Sequence, residues 1–216
     1  MAESKEKKPS YEVKLKNVRL SFANIYKPQD PQTNDDGELV AGKYKANFLM
    51  PKGASETEAN VRSMKAVVEA AKVAKWGKNL PKLKPDKVCL RDGDLEDWDG
   101  YAGQLYVSAN NLSKPVVVKR NREAALAGEK GSPYPGCYVN AIVRVWIQDS
   151  PKYGKRVNAT LEAVQFVSDG EPFGAKPVDP NDAFDDLGDD DGDGDGGNYV
   201  SNNSDDDGEG DEDSLV

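Results

Sequence analysis

Gly136-Cys137-Tyr138-Val139-Asn140-Ala141-Ile142-Val143-Arg144-Val145-Trp146-Ile147-Gln148 reads as one long β-strand, because its side chains separate cleanly by parity. Cys137, Val139, Ala141, Val143, Val145 and Ile147 form an unbroken apolar face suited to a core. The other face is Tyr138, Asn140, Ile142, Arg144, Trp146 and Gln148, two large rings around an arginine. Two readings are open for that face: rings and a cation offered to a ligand, or rings covering a second core under a helix.

Immediately downstream, Asp149-Ser-Pro-Lys-Tyr-Gly-Lys155 is rich in turn formers, and Arg156–Val167 alternates again. The pair predicts a β-hairpin whose second strand buries Val157, Ala159, Leu161 and Ala163 and turns Arg156, Asn158, Thr160 and Glu162 outward. Upstream, Tyr11-Glu-Val-Lys-Leu15 alternates in one phase and Val18-Arg-Leu-Ser-Phe22 in the other. A phase change at Asn17 predicts one strand carrying a β-bulge, since an extra residue turns the side chains over. A second strand is expected over about Leu39–Met50, with Tyr44, Ala46, Phe48 and Met50 on one face and Lys43, Lys45 and Asn47 on the other. Further strands are expected around Lys87–Arg91, Leu105–Ala109 and Val116–Lys119.

One helix is predicted over 55–76. Ser55-Glu-Thr-Glu58 has the pattern of a capping box, Val61, Met64, Val68 and Ala71 recur at helical spacing, and Gly77 follows Trp76 as a stop. Short strands with Gly/Pro punctuation and one inserted helix predict a mainly β fold, a Greek-key barrel of the OB type.

Charge divides the chain more sharply than composition does. All told, 216 residues hold 38 acidic and 29 basic side chains, a net charge of −9. The last 38 residues, from Asp179, contain 16 of the acidic residues and no Lys or Arg, leaving 22 against 29, a net of +7, in residues 1–178. A basic body, residues 1–178 with a loose start over 1–10, is thus followed by an acidic tail, residues 179–216. The tail has little to bury and strong self-repulsion, so it is expected to be disordered.

Several chemistries are excluded or disfavoured. The chain has no histidine, which removes His-dependent nucleophilic triads and imidazole metal sites. Cys89 and Cys137 are too few for a four-cysteine zinc site or a disulfide framework. No apolar run approaches the roughly 18 residues of a membrane span, and the N-terminal stretch lacks the apolar core of a signal peptide. A cytoplasmic protein with no cofactor and no membrane partner is expected. Asp191-Gly-Asp-Gly-Asp-Gly196 imitates the start of an EF-hand loop, but Asn202 stands where the bidentate Glu belongs. Asp92-Gly-Asp-Leu-Glu-Asp-Trp-Asp99 gathers five carboxylates without the lysine spacing of a metal nuclease, and reads as a charged loop anchored by Trp98.

Cations interleaved with rings on a curved sheet suit a single-stranded nucleic acid, with cations tracking phosphates and rings stacking on bases. Candidate stacking residues are Tyr106, Tyr138, Trp146 and Tyr153; candidate phosphate contacts are Lys43, Lys45, Arg144, Lys152, Lys155 and Arg156. Lys14, Lys16 and Arg19 add cations on the non-core face of the first strand, and Lys114, Lys119, Arg120 and Arg122 form a further basic cluster. No catalytic residue and no metal site is assigned. Two alternatives stay open: an acidic-tailed interaction protein or DNA mimic with a basic target, and a metal-dependent nuclease using the 92–99 carboxylates.

The stretches Gly136–Gln148 and Gly154-Lys-Arg-Val-Asn-Ala-Thr-Leu-Glu-Ala-Val-Gln-Phe166, then Asp169-Gly-Glu-Pro-Phe-Gly174, together with the acidic tail, resemble the single-stranded DNA-binding proteins of tailed bacteriophages, those of Enterobacter phage type above all. The resemblance implies an OB-fold, sequence-tolerant binding of single strands in DNA replication, recombination or repair, and work in the cytoplasm of an infected bacterium. It also implies a tail that contacts phage or host replication proteins through Asp211, Glu212, Asp213, Leu215 and Val216, the last two standing where related proteins often carry a terminal Phe. A homodimer stays open.

Overall fold

The computed structural model describes residues 11–34 and 36–173. The chain divides into two units, Met1–Lys176 and Pro177–Val216, and every described residue belongs to the first. The expectations for residues 1–10 and for the acidic tail, Asp211, Glu212, Asp213, Leu215 and Val216 included, lie outside the described residues.

In chain order the elements are β1 (Glu12–Asn24), β2 (Gln32–Thr33), β3 (Leu39–Val40), β4 (Tyr44–Pro51), α1 (Ser55–Trp76), β5 (Leu90–Asp92), β6 (Gln104–Asn111), β7 (Val116–Val118), β8 (Tyr138–Ser150) and β9 (Gly154–Ser168). Five of the strands close a ring. β1, β4 and β6 form an antiparallel meander, β6 meets β9 in parallel at Asn110 and Thr160, β9 pairs with β8 as a hairpin, and β8 returns to β1. That is the connectivity of an OB barrel, in which closure removes most of the exposed edge. β5 extends the sheet beyond β6, β7 lies beside β9, and β2 with β3 forms a small separate hairpin inside the β1–β4 loop. The continuous strand expected over 39–50 is therefore two strands, because Ala41–Lys43 breaks the ladder and Leu39–Val40 pairs with β2 instead.

The barrel interior follows the sequence parity on β1, β4 and β8, but β9 slips register between Leu161 and Ala163. Ala163, expected in the core, therefore faces outward beside Ile142, and Val164 and Phe166 are buried in its stead. Val13, Leu15, Val18 and Leu20 of β1, Ala46, Phe48 and Met50 of β4, and Val139, Ala141, Val143 and Val145 of β8 are all buried in one core. Met64, Val68 and Ala71 of α1 join that core, so the helix is held by its apolar stripe. Both cysteines are free and buried, and burial pushes each thiol up to about 11.

The expected bulge is present. β1 pairs Leu15 with Ala141 and Val18 with Val139, so three steps on β1 oppose two on β8. Asn17 takes the extra place at φ 50°, a left-handed conformation that asparagine tolerates better than most residues. A second bulge was not legible in the alternation. Ser21 pairs with Asn47 and Asn24 with Lys45, and Phe22 between them sits at φ 45°. This turns the Phe22 ring outward, where strict alternation places it in the core.

The helix start also differs from expectation. Ser55 already lies inside the helix, Ala54 is the cap residue, and no side chain caps the N-terminus. Thr57 donates its hydroxyl to the Pro51 carbonyl oxygen at 3.0 Å, tying the first turn to the end of β4. At the other end Gly77 adopts φ 63° and its N–H donates to the Val73 carbonyl at 2.8 Å, which ends the helix where the sequence predicts.

Candidate nucleic-acid interface

Cross-strand pairing lays out the outer face of the barrel. One row runs Tyr138, Arg19, Leu49, Tyr106 and Arg91 across β8, β1, β4, β6 and β5. A second row runs Ser21, Asn47 and Ser108, and a third runs Asn24, Lys45 and Asn110. The acidic segment 92–103 folds over the first two rows and covers Leu49 and Tyr106 with the buried ring of Tyr101. The Tyr101 hydroxyl accepts from Asn47 Nδ2 at 2.8 Å and donates to Ser21 Oγ at 3.2 Å.

Above this layer two rings remain open to solvent. Phe22 is 48% exposed and Trp98 39% exposed, with centroids 5.1 Å apart in an edge-on arrangement. Trp98 in turn meets Tyr101 edge-on at 5.0 Å, and Tyr101 meets Tyr106 at 5.0 Å. The buried tyrosines hold the exposed pair in fixed orientation, which reduces the entropy lost when a planar ligand stacks on it. The segment is held down as firmly. Lys52 bridges the carboxylates of Asp92 and Asp94, holding both below the usual carboxylate range. Asp94 also accepts from the Gly103 amide at 2.5 Å. A Cβ on Gly93 would stand 2.2 Å from the Tyr101 carbonyl oxygen, so only glycine permits this close approach. Beside the platform, the Arg19 guanidinium lies 4.1 Å from the Phe173 ring centroid and donates to the Glu171 carbonyl at 2.8 Å.

Tyr106 is a correction to the sequence-derived site. Its ring is fully buried and its hydroxyl donates to Glu96, so it supports the platform from below and offers no face to a base. Burial, then the Glu96 contact, pushes its phenol up to about 12. The remaining candidates divide into groups. Lys45 lies on the outer face between Asn24 and Asn110, and Lys43 precedes it at the end of the β1–β4 loop. Lys152 and Tyr153, the latter 59% exposed, occupy the tip of the β8–β9 hairpin. Lys152 Nζ lies 2.8 Å from Asp36 Oδ2, which brings the hairpin tip to the β1–β4 loop. The two loops thus meet at one end of the face that carries Lys45, the placement by which OB barrels frame oligonucleotides.

The other candidates sit elsewhere on the barrel. Arg144 is engaged with Glu162 and, at 3.7 Å, with Glu12. Lys155 lies 5.6 Å over the Trp76 ring and 3.7 Å from Asp149. Arg156 pairs across the hairpin with Gln148. Trp146, 43% exposed, lines a shallow groove together with Tyr11 and the α1 residues Ala71, Ala74 and Lys75. Tyr138, 36% exposed, lies beside Arg19 at the edge of the platform.

Sequence parity missed Phe22 and assigned Trp98 only the role of an anchor. The second bulge hides Phe22, since one unpaired residue is invisible in a five-residue alternation. Trp98 left a signal: a large ring among five carboxylates, with one leucine nearby in sequence, has few apolar neighbours to bury it.

Comparison with known proteins agrees with this architecture. The family model described as Enterobacter phage Enc34, ssDNA-binding protein, matches residues 11–195. Protein p50 of Acyrthosiphon pisum secondary endosymbiont phage 1 is 42% identical over 182 residues, covering 81% of this chain and 93% of that protein. The solved single-stranded DNA-binding protein from bacteriophage Enc34 is 30% identical with a TM-score of 0.61, over 84% of this chain and 97% of that one. The same phage protein solved in complex with ssDNA is 31% identical with a TM-score of 0.61, over 79% and 97%. With the family model spanning the whole barrel and the solved Enc34 protein similar over most of this chain, the chain belongs to the family of the Enterobacter phage Enc34 ssDNA-binding protein.

Proposed function

We propose that this protein binds single-stranded DNA without sequence preference, over the β1–β4–β6 face of the barrel. The observation that carries the reading is the Phe22–Trp98 pair, two exposed rings fixed on buried tyrosines, on the face that also presents Lys45. Base–aromatic stacking tolerates any base because every base has a π-face, and cations along the path take the phosphates. Lys43, Lys152 and Tyr153 extend the path to the end where the two loops meet. The role is non-enzymatic: the chain coats and protects single strands during phage DNA replication, recombination or repair in the host cytoplasm. The 16 carboxylates of the last 38 residues, tethered to the basic body, compete for the same face at high effective concentration. Once displaced by DNA, the tail is free to recruit replication proteins.

The test is a titration of the full chain with oligo-dT and with duplex of equal length, read by tryptophan fluorescence at several salt concentrations. Preference for the single strand, quenching of the Trp98 emission and a steep loss of affinity with salt are expected. No binding of oligo-dT at low salt, with or without residues 179–216, overturns the reading.

A further inference from the structure

A second groove crosses the barrel on the β1–β8–β9 side, away from the Phe22–Trp98 pair. Its volume is about 360 Å³. The floor is apolar, with Ile142 of β8 and Ala163 of β9 paired directly across the hairpin. Lys14 and Lys16 line it from β1, and Arg122 lines it from the turn that follows β7. None of these three cations forms an ion pair among the described residues, whereas Lys52, Lys119, Arg144 and Lys152 all do.

The walls are built rather than incidental. Asn140 joins them: its side-chain oxygen accepts from the Asn17 amide at 3.1 Å, and its Nδ2 donates to Gln165 Oε1 at 3.2 Å. Gln165 Nε2 then donates to the Arg120 carbonyl at 3.2 Å, so the basic turn is tied to the groove floor. Arg122 itself stands at φ 73°, a backbone conformation that costs a non-glycine residue about 1 kcal/mol or more and favours glycine or asparagine.

Continuity with the platform is set by register. Tyr138, beside Arg19, precedes Asn140 by two residues on the same face of β8, about 7 Å along the strand. Arg19, its guanidinium against the Phe173 ring, and the exposed edge of Tyr138 thus lie along the outer face between the Phe22–Trp98 rings and the cation-lined groove.

We propose that this groove is a second nucleotide subsite, in which the same single strand seats a base on Ile142 and Ala163 and phosphates against Lys14, Lys16 and Arg122. The subsite rests on the single-strand reading above and lengthens the bound segment beyond what the β1–β4–β6 face alone can hold.

The experiment compares three full-length proteins on an oligo-dT length series at several salt concentrations: wild type, Lys14→Gln/Lys16→Gln/Arg122→Gln, and a charge-matched control, Lys65→Gln/Lys78→Gln/Lys82→Gln. Wild type and control are expected to gain affinity again beyond a threshold length. The groove variant should match them on the shortest oligonucleotides bound, fall about tenfold behind on long ones, and show a salt slope shallower by about 2, at roughly 0.7 per lost phosphate contact on single strands. Identical length dependence in wild type and groove variant overturns the subsite while leaving the platform reading intact, and is also the result if an acidic peptide is the true occupant. An equal loss at every length, or a control that loses as much, overturns it as well. Wild type that binds oligo-dT at no length overturns both readings together.

Discussion

The side chain of Asn60 closes two hydrogen bonds on the main chain of Lys16, accepting from its amide at 3.0 Å and donating to its carbonyl at 2.8 Å, across 44 residues of sequence. Asn60 is a buried helix residue, and Lys16 adjoins the bulge of β1. The asparagine thus takes the place of a neighbouring strand on the edge of β1 that β4 does not reach. From the other side, Asn140 accepts from the Asn17 amide, so the bulge is gripped between the helix and the barrel wall.

Asn60→Ala leaves both main-chain groups of Lys16 without this partner in a partly buried setting. A loss of about 1–3 kcal/mol of stability is expected, read as a lower urea midpoint with an unchanged slope. Asn60→Asp keeps the acceptor but loses the donor to the Lys16 carbonyl, so it should not restore wild-type stability.

Phe22→Ala and Trp98→Ala should each weaken oligo-dT binding by about 1–3 kcal/mol with little change in the unfolding midpoint, because both rings are half open to water. Tyr106→Ala should behave in the opposite way. Its buried ring is worth about 3–5 kcal/mol of stability, so the variant unfolds early and loses DNA binding only through the collapsed platform. A fluorescence titration alongside a denaturant series separates the two classes.

Alkaline pH supplies a sign-dependent check on the same residue. The Tyr106 phenol is raised from 10.0 to about 12, chiefly by burial. The folded protein therefore holds this proton more tightly than the unfolded chain. Its contribution to stability is complete below about pH 10 and is lost as pH rises from there through about 12. Tyr106→Phe should lose less stability than wild type across that window, measured as the difference between their denaturant midpoints at each pH.

Lys152 joins the two loops at the end of the β1–β4–β6 face through Asp36. Both groups are exposed, so Asp36→Asn should change stability by less than about 1 kcal/mol. Lys152→Ala should instead lower oligo-dT affinity and reduce the salt slope by roughly 0.7, the signature of one lost phosphate contact on a single strand.

Removing residues 179–216 takes 16 negative charges from a chain whose remainder carries a net +7. Affinity for oligo-dT at low salt should rise on deletion, and the difference should shrink as salt screens the competition. A truncated protein that binds no better than the full chain would show that the tail does not compete for the DNA face.

Much of this protein was legible before folding, for a physical reason: β-strand side chains alternate with period two, so a half-buried strand writes its core face into its sequence. The β8–β9 hairpin, the Asn17 bulge, the inner faces of β1 and β8 and the helix over 55–76 follow from local pattern. The division of charge also needs no structure, since counting residues is enough. What the sequence could not carry was whether an outward-facing ring is left open or covered by a segment from elsewhere in the chain. Tyr106 and Tyr138 stand in one row of the outer face, yet only Tyr106 lies beneath Tyr101 and the folded acidic segment. Phe22 reached the surface through a single unpaired residue whose effect exists only against its partner strand. Burial on the outer face is a property of contacts between segments distant in sequence. Tertiary structure alone decided which rings support the platform and which are exposed on it.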